Sequence, residues 1–404
     1  MHNDEYTSWT FGKEVRMTIL LLIIIYLAFI SLGLPDSLLG SAWPAIHPGL
    51  NVPVSYAGIV TMIVSGGTIV SSFFSGVVIK KLGTGLVTAI SVIMTAGALL
   101  GFAYSDSFIW LCLLAIPLGL GAGSVDAALN NFVALHYKAN HMSWLHCFWG
   151  VGATLGPVIM ASFLKQGGRW DLGYKTIGIL QLSLSVILFL SLPLWKKVKE
   201  ENKEMEEEGQ KEFNKNEILK QKGVLSALFA FFAYCAIEAT AGLWGSSFLV
   251  YTKEISPETA AKWVSLFYLG ITAGRFLGGF VTMKVKSSNM IRMGEGIILL
   301  GIILLVLPFG NYTLMGGLLL MGFGCAPIYP GMIHETPRRF GKAASQSMMG
   351  MQMACAYIGS TFMPPLFGAI ANSVTFLLYP FVLLVFLLIM VILSERSSRS
   401  TLLS

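Results

Sequence analysis

Long apolar runs separated by short polar loops set the pattern of this chain. Runs with few or no charges fall near 17–42, 55–79, 86–104, 108–136, 143–164 and 174–195, and again near 223–251, 259–283, 290–309, 312–334, 343–371 and 373–394. A helix that crosses a bilayer needs about 20 mostly apolar residues, so the pattern predicts about twelve spans. Several runs exceed that length, which allows tilting or kinking. One long polar segment interrupts the series, "KKVKEENKEMEEEGQKEFNKNEILKQK" at 196–222. Its lysines and glutamates alternate at helical spacing, so it reads as a solvated surface helix or tether, with a regulatory role as the alternative. The expected architecture is an all-α membrane protein with a six-helix bundle over 1–195, a charged linker over 196–222, and a second six-helix bundle with a short tail over 223–404.

The two halves echo one another. "GTIVSSFFSGVVIKK" from Gly67 aligns without a gap on "GITAGRFLGGFVTMK" from Gly270, so that Gly67, Phe73, Gly76 and Lys81 fall on Gly270, Phe276, Gly279 and Lys284. The same offset carries Gly119 and Gly121 onto Gly322 and Gly324. Many secondary transporters are built from duplicated halves, with the substrate site near the midplane between them.

Composition agrees with a membrane location. Of 404 residues, 55% are hydrophobic and 12% charged, and the mean hydropathy is +0.71; a soluble domain carries roughly a quarter charged residues. The net charge of +6 is a topology signal. With the N-terminus inside, Lys13, Arg16, Lys80, Lys81, Lys138, Lys284, Lys286, Arg292, Arg338, Arg339, Lys342, Arg396, Arg399 and the linker collect on the cytoplasmic face, against Lys165, Arg169, Lys175, Lys253 and Lys262 outside. Both termini are therefore expected in the cytoplasm of a cell with this protein in its plasma membrane, a bacterial inner membrane on this reading, and no nucleic-acid partner is implied. The first run is too long for a cleavable signal peptide. Cys112, Cys147, Cys235, Cys325 and Cys355 fall within spans without metal-ligand spacing and read as packing residues.

Ionisable groups inside a spanning helix are costly and mark function. Asp36, Asp126 and Glu238 are the acids well inside predicted spans; Glu295 lies near a helix end, and Arg275 is the one basic residue at comparable depth. Asp126, in "LGLGAGSVDAALNNFV", lies roughly 16 Å from the cytoplasmic end of its helix at 1.5 Å per residue, close to the midplane. Asn130, Gly119 and Gly123 share its face, and the glycines let a helix or a ligand approach. A carboxylate so placed can load and release a proton; the alternative is a static ion pair with Arg275. Asp36 follows Gly33 and Pro35, which interrupt regular hydrogen bonding as is tolerated where a helix lines a cavity. It reads as a second coupling acid, or as a cap or gate. Glu238 shares a face with Tyr234 and Gly242 and reads as a third coupling acid, or as a hydrogen-bonded structural one.

Candidates for substrate contact are Asn130, His146, Trp149, Tyr234, Tyr329 and Gln352. Aromatic faces suit sugar C–H surfaces, although most buried aromatics only pack, which is the alternative for Trp149, Trp244 and Tyr329. Gln352 interrupts the methionines of Met348–Met353, a stretch suited to adaptable packing. His146 is a second titrating group or a structural one. The chain shows no phosphate loop, metal cluster or nucleophile–base motif, so neither an enzyme, a cofactor nor an ATP-driven pump is expected.

Twelve spans in two related halves resemble the major facilitator superfamily. Its cytoplasmic signature after the second span has an acid where this chain has Lys80 in "GVVIKKLGTG"; the stretch is similar to the G-x-x-x-K-K-L of the fucose:proton symporter branch. That branch has a glycine-rich fourth span with an acid followed four residues later by asparagine, which Asp126 and Asn130 match. The resemblance implies Asp126 as the proton-coupling acid and Asp36 as a second essential carboxylate. It departs in the fifth span, where fucose-type members offer a glutamine and an asparagine and this chain has His146 and Trp149. "GATLGP", Gly152 to Pro157, partly matches a motif of drug antiporters. The reading that follows is a proton-coupled symporter of a sugar or similar small neutral polar metabolite, with Na+ as the alternative coupling ion. The competing reading is a proton-coupled exporter of amphipathic or drug-like compounds.

Overall fold

The computed structural model describes residues 3–137, 139–201, 219–281 and 284–402, and every regular element within them is a helix. Twelve spans are long and apolar enough to cross a membrane. In the first half they are α1 (Asn3–Asp36) with α2 (Leu38–Gly49), then α3 (Ala57–Leu82), α4 (Thr84–Ala103), α5 (Phe108–His136), α6 (Ala139–Leu164) and α7 (Trp170–Leu190). A short α8 (Leu192–Glu201) follows. The second half holds α9 (Val224–Lys253), α10 (Pro257–Val281), α11 (Ser287–Val306), α12 (Asn311–Cys325) with α13 (Ile328–Phe340), α14 (Lys342–Ser373) and α15 (Tyr379–Leu402). An even number of spans puts both termini on one side, the terminal face; the other is the far face. Linker residues 202–218, Lys138, and the side chains of Lys13, Arg16 and Lys342 lie outside the described residues.

Two spans run further than their apolar runs predict. The first continues to Gly49 although Pro44 and Pro48 lie within it, and the tenth continues to Phe340 past Pro327. Each is broken once, at Ser37 after Pro35 and at Ala326–Pro327, where the missing proline N–H ends one helix and a new one starts. The interior is apolar, but the outer surface is apolar too. Apolar side chains such as Phe229, Val186 and Ile392 are exposed around the outside, while hydrogen-bonded polar groups sit inside. Gln181 on α7 donates from Nε2 to the Ser31 carbonyl at 2.6 Å and accepts from Thr95 Oγ1 at 2.7 Å, tying α7 to α1 and α4. With no water in a bilayer core, such groups must find partners within the protein.

The repeat is visible in the packing. A β-carbon on Gly67 would lie 3.0 Å from the nitrogen of Leu120, and one on Gly270 would lie 2.7 Å from that of Phe323. Gly119 abuts the Val64 carbonyl as Gly322 abuts that of Phe267. Gly121 packs on Ser91 and Thr95 as Gly324 packs on Gly294 and Ile298. All of these pairs are related by one spacing of 203 residues. The glycines are close helix crossings, used identically in both halves.

The halves meet along α6 and α10, α2 and α9, and α3 and α14. On the far face Gly40 crosses Gly242, with no room for a β-carbon between them; Gly58 abuts Pro365; Ser246 Oγ donates to the Ser41 carbonyl at 3.3 Å; and His47 Nε2 pairs with the Tyr251 hydroxyl. These contacts seal that side.

Candidate functional site at the midplane

Asp36 is the last residue of α1, at the break of the first span. Its side chain is exposed. Trp149 on α6 donates from Nε1 to Asp36 Oδ2 at 2.7 Å. The opposite use of the same side chain is electrostatic: Arg275 of α10 lies over its ring, Cζ 5.1 Å from the centroid. Arg275 in turn faces Glu238 of α9, Nη2 to Oε1 at 3.7 Å, with the two side chains 15% and 21% exposed. The Tyr234 hydroxyl, one helical turn before Glu238, donates to its Oε2 and also reaches the Cys325 carbonyl at 3.1 Å, just before the break in the tenth span. Asp36, Trp149, Arg275, Glu238 and Tyr234 thus form one continuous chain of contacts from the first half to the second. A further polar contact, Thr154 to Thr272 at 3.4 Å, joins the halves beside it.

Asp126 stands apart from that chain. Among the described residues it is in no ion pair; Asn130 Nδ2 donates to both its Oδ1 and its backbone carbonyl, each at 2.9 Å. The static pairing with Arg275 is therefore not what the structure contains; Arg275 faces Glu238 instead. Its charge nevertheless lies within electrostatic reach of Asp36, Tyr329 and Tyr357. The glycines on its face take a helix: Gly119 packs on Val64 and Gly123 on Thr68 of α3. The room next to Asp126 is thus filled by α3.

The remaining candidates divide by position. His146 is half-buried, edge-on to Phe29 at 6.0 Å between ring centres and within the field of Arg275. Tyr329 is half-buried against Tyr234 and Phe231, with its hydroxyl on Met353 Sδ at 2.9 Å. Gln352 is buried and accepts from Thr336 Oγ1 at 2.9 Å, binding α14 to α13. Trp244 is fully buried, its Nε1 on the Pro364 carbonyl at 2.7 Å, and is a packing residue. One member went unread in the sequence, along with the pairing of Arg275 to Glu238: Tyr268, buried under Gly242 and in the field of both Asp36 and Glu238, lies seven residues before Arg275 and so on its face.

The sequence profile described as Major Facilitator Superfamily matches residues 25–310 and 227–402. The chain belongs to the major facilitator superfamily. Among its relatives is "Bypass of stop codon protein 6" of Saccharomyces cerevisiae, 22% identical over 89% of this chain and 78% of that protein. Two others are from Bacillus subtilis: a hexuronate transporter, 26% identical over 70% and 68%, and the glucose/mannose transporter GlcP, 23% identical over 76% and 77%. The fold is similar to that of a mutant of the nucleoside transporter NupG, with a TM-score of 0.76 at 15% identity, covering 93% of this chain and 98% of that one. It is also similar to a bacterial homologue of the human lysosomal transporter Spinster in an inward-facing, unoccupied conformation, at a TM-score of 0.69 and 12% identity over 96% and 97%. Family and fold are those of a multi-pass membrane transporter of small solutes and not of an enzyme.

Proposed function

We propose that this major facilitator transporter is a proton-coupled symporter of a sugar or similar small polar solute, working by alternating access. The observation that carries the reading is Asp126: a carboxylate deep in a span, held only by an amide of its own helix turn and facing no cation among the described residues. Protonating it would break no ion pair, so its charge can change during transport without unfolding its surroundings. Asp36 lies within its electrostatic reach, Glu238 is a further candidate coupling acid, and Trp149 and Tyr329 offer ring faces, with Asn130, Tyr234 and His146 as further contacts. The relatives that transport glucose, mannose or hexuronate support the sugar class, and the resemblance of Asp126 and Asn130 to the fucose:proton branch supports the coupling ion. On this reading the terminal face is cytoplasmic, the protein sits in the plasma membrane, and a substrate enters from the far face when the Gly40–Gly242 crossing opens.

The experiment is reconstitution in liposomes loaded with a pH-sensitive dye, with a panel of hexoses, pentoses and sugar acids added outside in sodium-free buffer. Solute-specific internal acidification that is lost in Asp126→Asn is the expected result. Uptake that is unaffected by Asp126→Asn in a folded protein refutes the mechanism, and uptake that needs sodium replaces the proton by Na+.

A further inference from the structure

The guanidinium of Arg275 is under-used. It offers five N–H donors in a planar fork, yet among the described residues its polar partner is one carboxylate oxygen of Glu238 at 3.7 Å, beyond the 2.7–3.2 Å of a hydrogen bond. Trp149 covers one face of the plane. A stacked ring leaves the in-plane edges open, and those edges are where a carboxylate docks with two parallel hydrogen bonds. The side chain is also partly exposed to the cleft. Glu238, for its part, has an alternative holder in the Tyr234 hydroxyl, so it can leave Arg275 without being stranded. Around this fork stand hydroxyl-binding groups: Thr154 and Thr272 at the seam, and the Asp36 oxygen that Trp149 does not use.

We propose that Arg275 is a carboxylate subsite, and that the transported solute is a hydroxylated acid, such as a sugar acid, whose carboxylate displaces Glu238 from the guanidinium. The proposal rests on the proton-coupled reading above and names its substrate class. The exchange balances. With the far face open, the solute carboxylate pairs with Arg275, the freed Glu238 carboxylate is held by the Tyr234 hydroxyl, and Asp126 takes one proton from the outer solution; with the terminal face open, the anion leaves, Asp126 gives its proton to the inner solution, and the Glu238–Arg275 pair re-forms. One negative and one positive charge cross together, so transport of the acid is electroneutral, whereas symport of a neutral sugar with a proton moves one positive charge.

D-Glucuronate and D-glucose test this, because they share a ring and differ at one carbon by the carboxylate. Uptake of each, labelled, into proteoliposomes is driven either by an inside-alkaline pH gradient or by a potassium–valinomycin potential at equal pH. Binding is followed separately, as the shift in melting temperature of the detergent-solubilised protein with each compound. The expected result is glucuronate uptake driven by the pH gradient and indifferent to the potential, with glucose neither accumulated nor competing. Arg275→Lys, which keeps the charge and loses the fork, should weaken the glucuronate melting shift and uptake by on the order of tenfold. The double variant Arg275→Gln/Glu238→Gln, which leaves no unpaired charge, should lose both while staying folded. Potential-driven glucose uptake with no response to glucuronate overturns the carboxylate subsite and leaves proton symport standing. Glucuronate uptake driven by the potential, or unchanged in the double variant, overturns the exchange at Arg275. Uptake of either compound that ignores the pH gradient and the potential alike overturns the proton-coupled reading itself.

Discussion

The seal at the far face rests on a crossing so close that one methyl group should reopen it. A β-carbon on Gly40 would lie 2.7 Å from the carbonyl oxygens of Gly242 and Leu243 and 2.9 Å from the Leu243 Cα. All three are backbone atoms of α9, so no side chain can turn aside; α2 and α9 must part by several tenths of an ångström. Forcing a methyl into a packed site costs about 1–3 kcal/mol. With the crossing as the far-face seal, that cost in Gly40→Ala falls on the far-face-closed state alone. The ratio of far-face-open to far-face-closed protein should therefore rise about 5- to 150-fold, at 1.4 kcal/mol per factor of ten. Spin labels at Gly49→Cys and Ser256→Cys, both exposed at the far-face ends of the two halves, report it by pulsed dipolar spectroscopy in a background with the five native cysteines replaced by alanine. Gly121→Ala is the control: its β-carbon would meet Thr95 Cγ2 at 2.7 Å and the Ser91 carbonyl at 2.8 Å within one half. It should lower stability and leave the distance distribution as it was. An unchanged distribution in a folded Gly40→Ala, or an equal change in both variants, refutes the assignment of the crossing as the seal.

Other outcomes follow from the contacts. Asp126→Asn should retain solute exchange between equal concentrations on both sides and lose accumulation driven by a pH gradient, since it removes a charge and no ion pair; counterflow and gradient-driven uptake measure the two. Gln352→Leu should lower stability by about 0.5–1.5 kcal/mol through the lost Thr336 hydrogen bond and leave the KM for transport unaltered, as read by detergent melting and uptake kinetics; a raised KM at unchanged stability would make Gln352 a substrate contact. The Arg292–Glu395 pair joins α11 to α15 near the terminal face with side chains 51% and 30% exposed, so a double-mutant cycle on melting should give a coupling of about 1 kcal/mol or less.

What could be read from the chain follows from what each feature leaves in one dimension. The bilayer imposes a length and a polarity on every span, so all twelve announce themselves. A close helix crossing demands glycine, so the repeat surfaced through Gly67, Gly119 and Gly121 and their counterparts. Depth along a helix is legible too, which picked out Asp36, Asp126, Glu238 and Arg275. The direction in which a side chain points around the bundle is not, and that is why a static Asp126–Arg275 pair stood as an alternative although Arg275 faces Glu238. For the same reason Gly119 and Gly123 left helix and ligand equally open until α3 was seen against them. Tyr268 looked like any aromatic of a span, and the far-face seal, made by backbone atoms of α2 and α9, leaves no mark beyond two ordinary glycines.

One equivalence stayed hidden because its spacing is shifted by a single residue. Asp36 and Gly40 correspond to Glu238 and Gly242 at a spacing of 202, and the two glycines cross each other at the seam. Duplication alone would give the two acids equal surroundings, yet their partners differ. At the spacing of 203, Arg275 stands where the first half has Ser72, and Asp126 stands where the second half has Tyr329. The first half therefore brings two acids and no arginine or lysine to this site among the described residues, while the second brings Glu238 and Arg275, which face each other. A proton reaching Asp126 changes the field in the cleft and disturbs no pair. A proton reaching Glu238 frees a cation whose nearest covered face is the indole that also holds Asp36. The scaffold is symmetric and its charges are not: protonating Asp126 would break no ion pair, whereas protonating Glu238 would break its pair with Arg275.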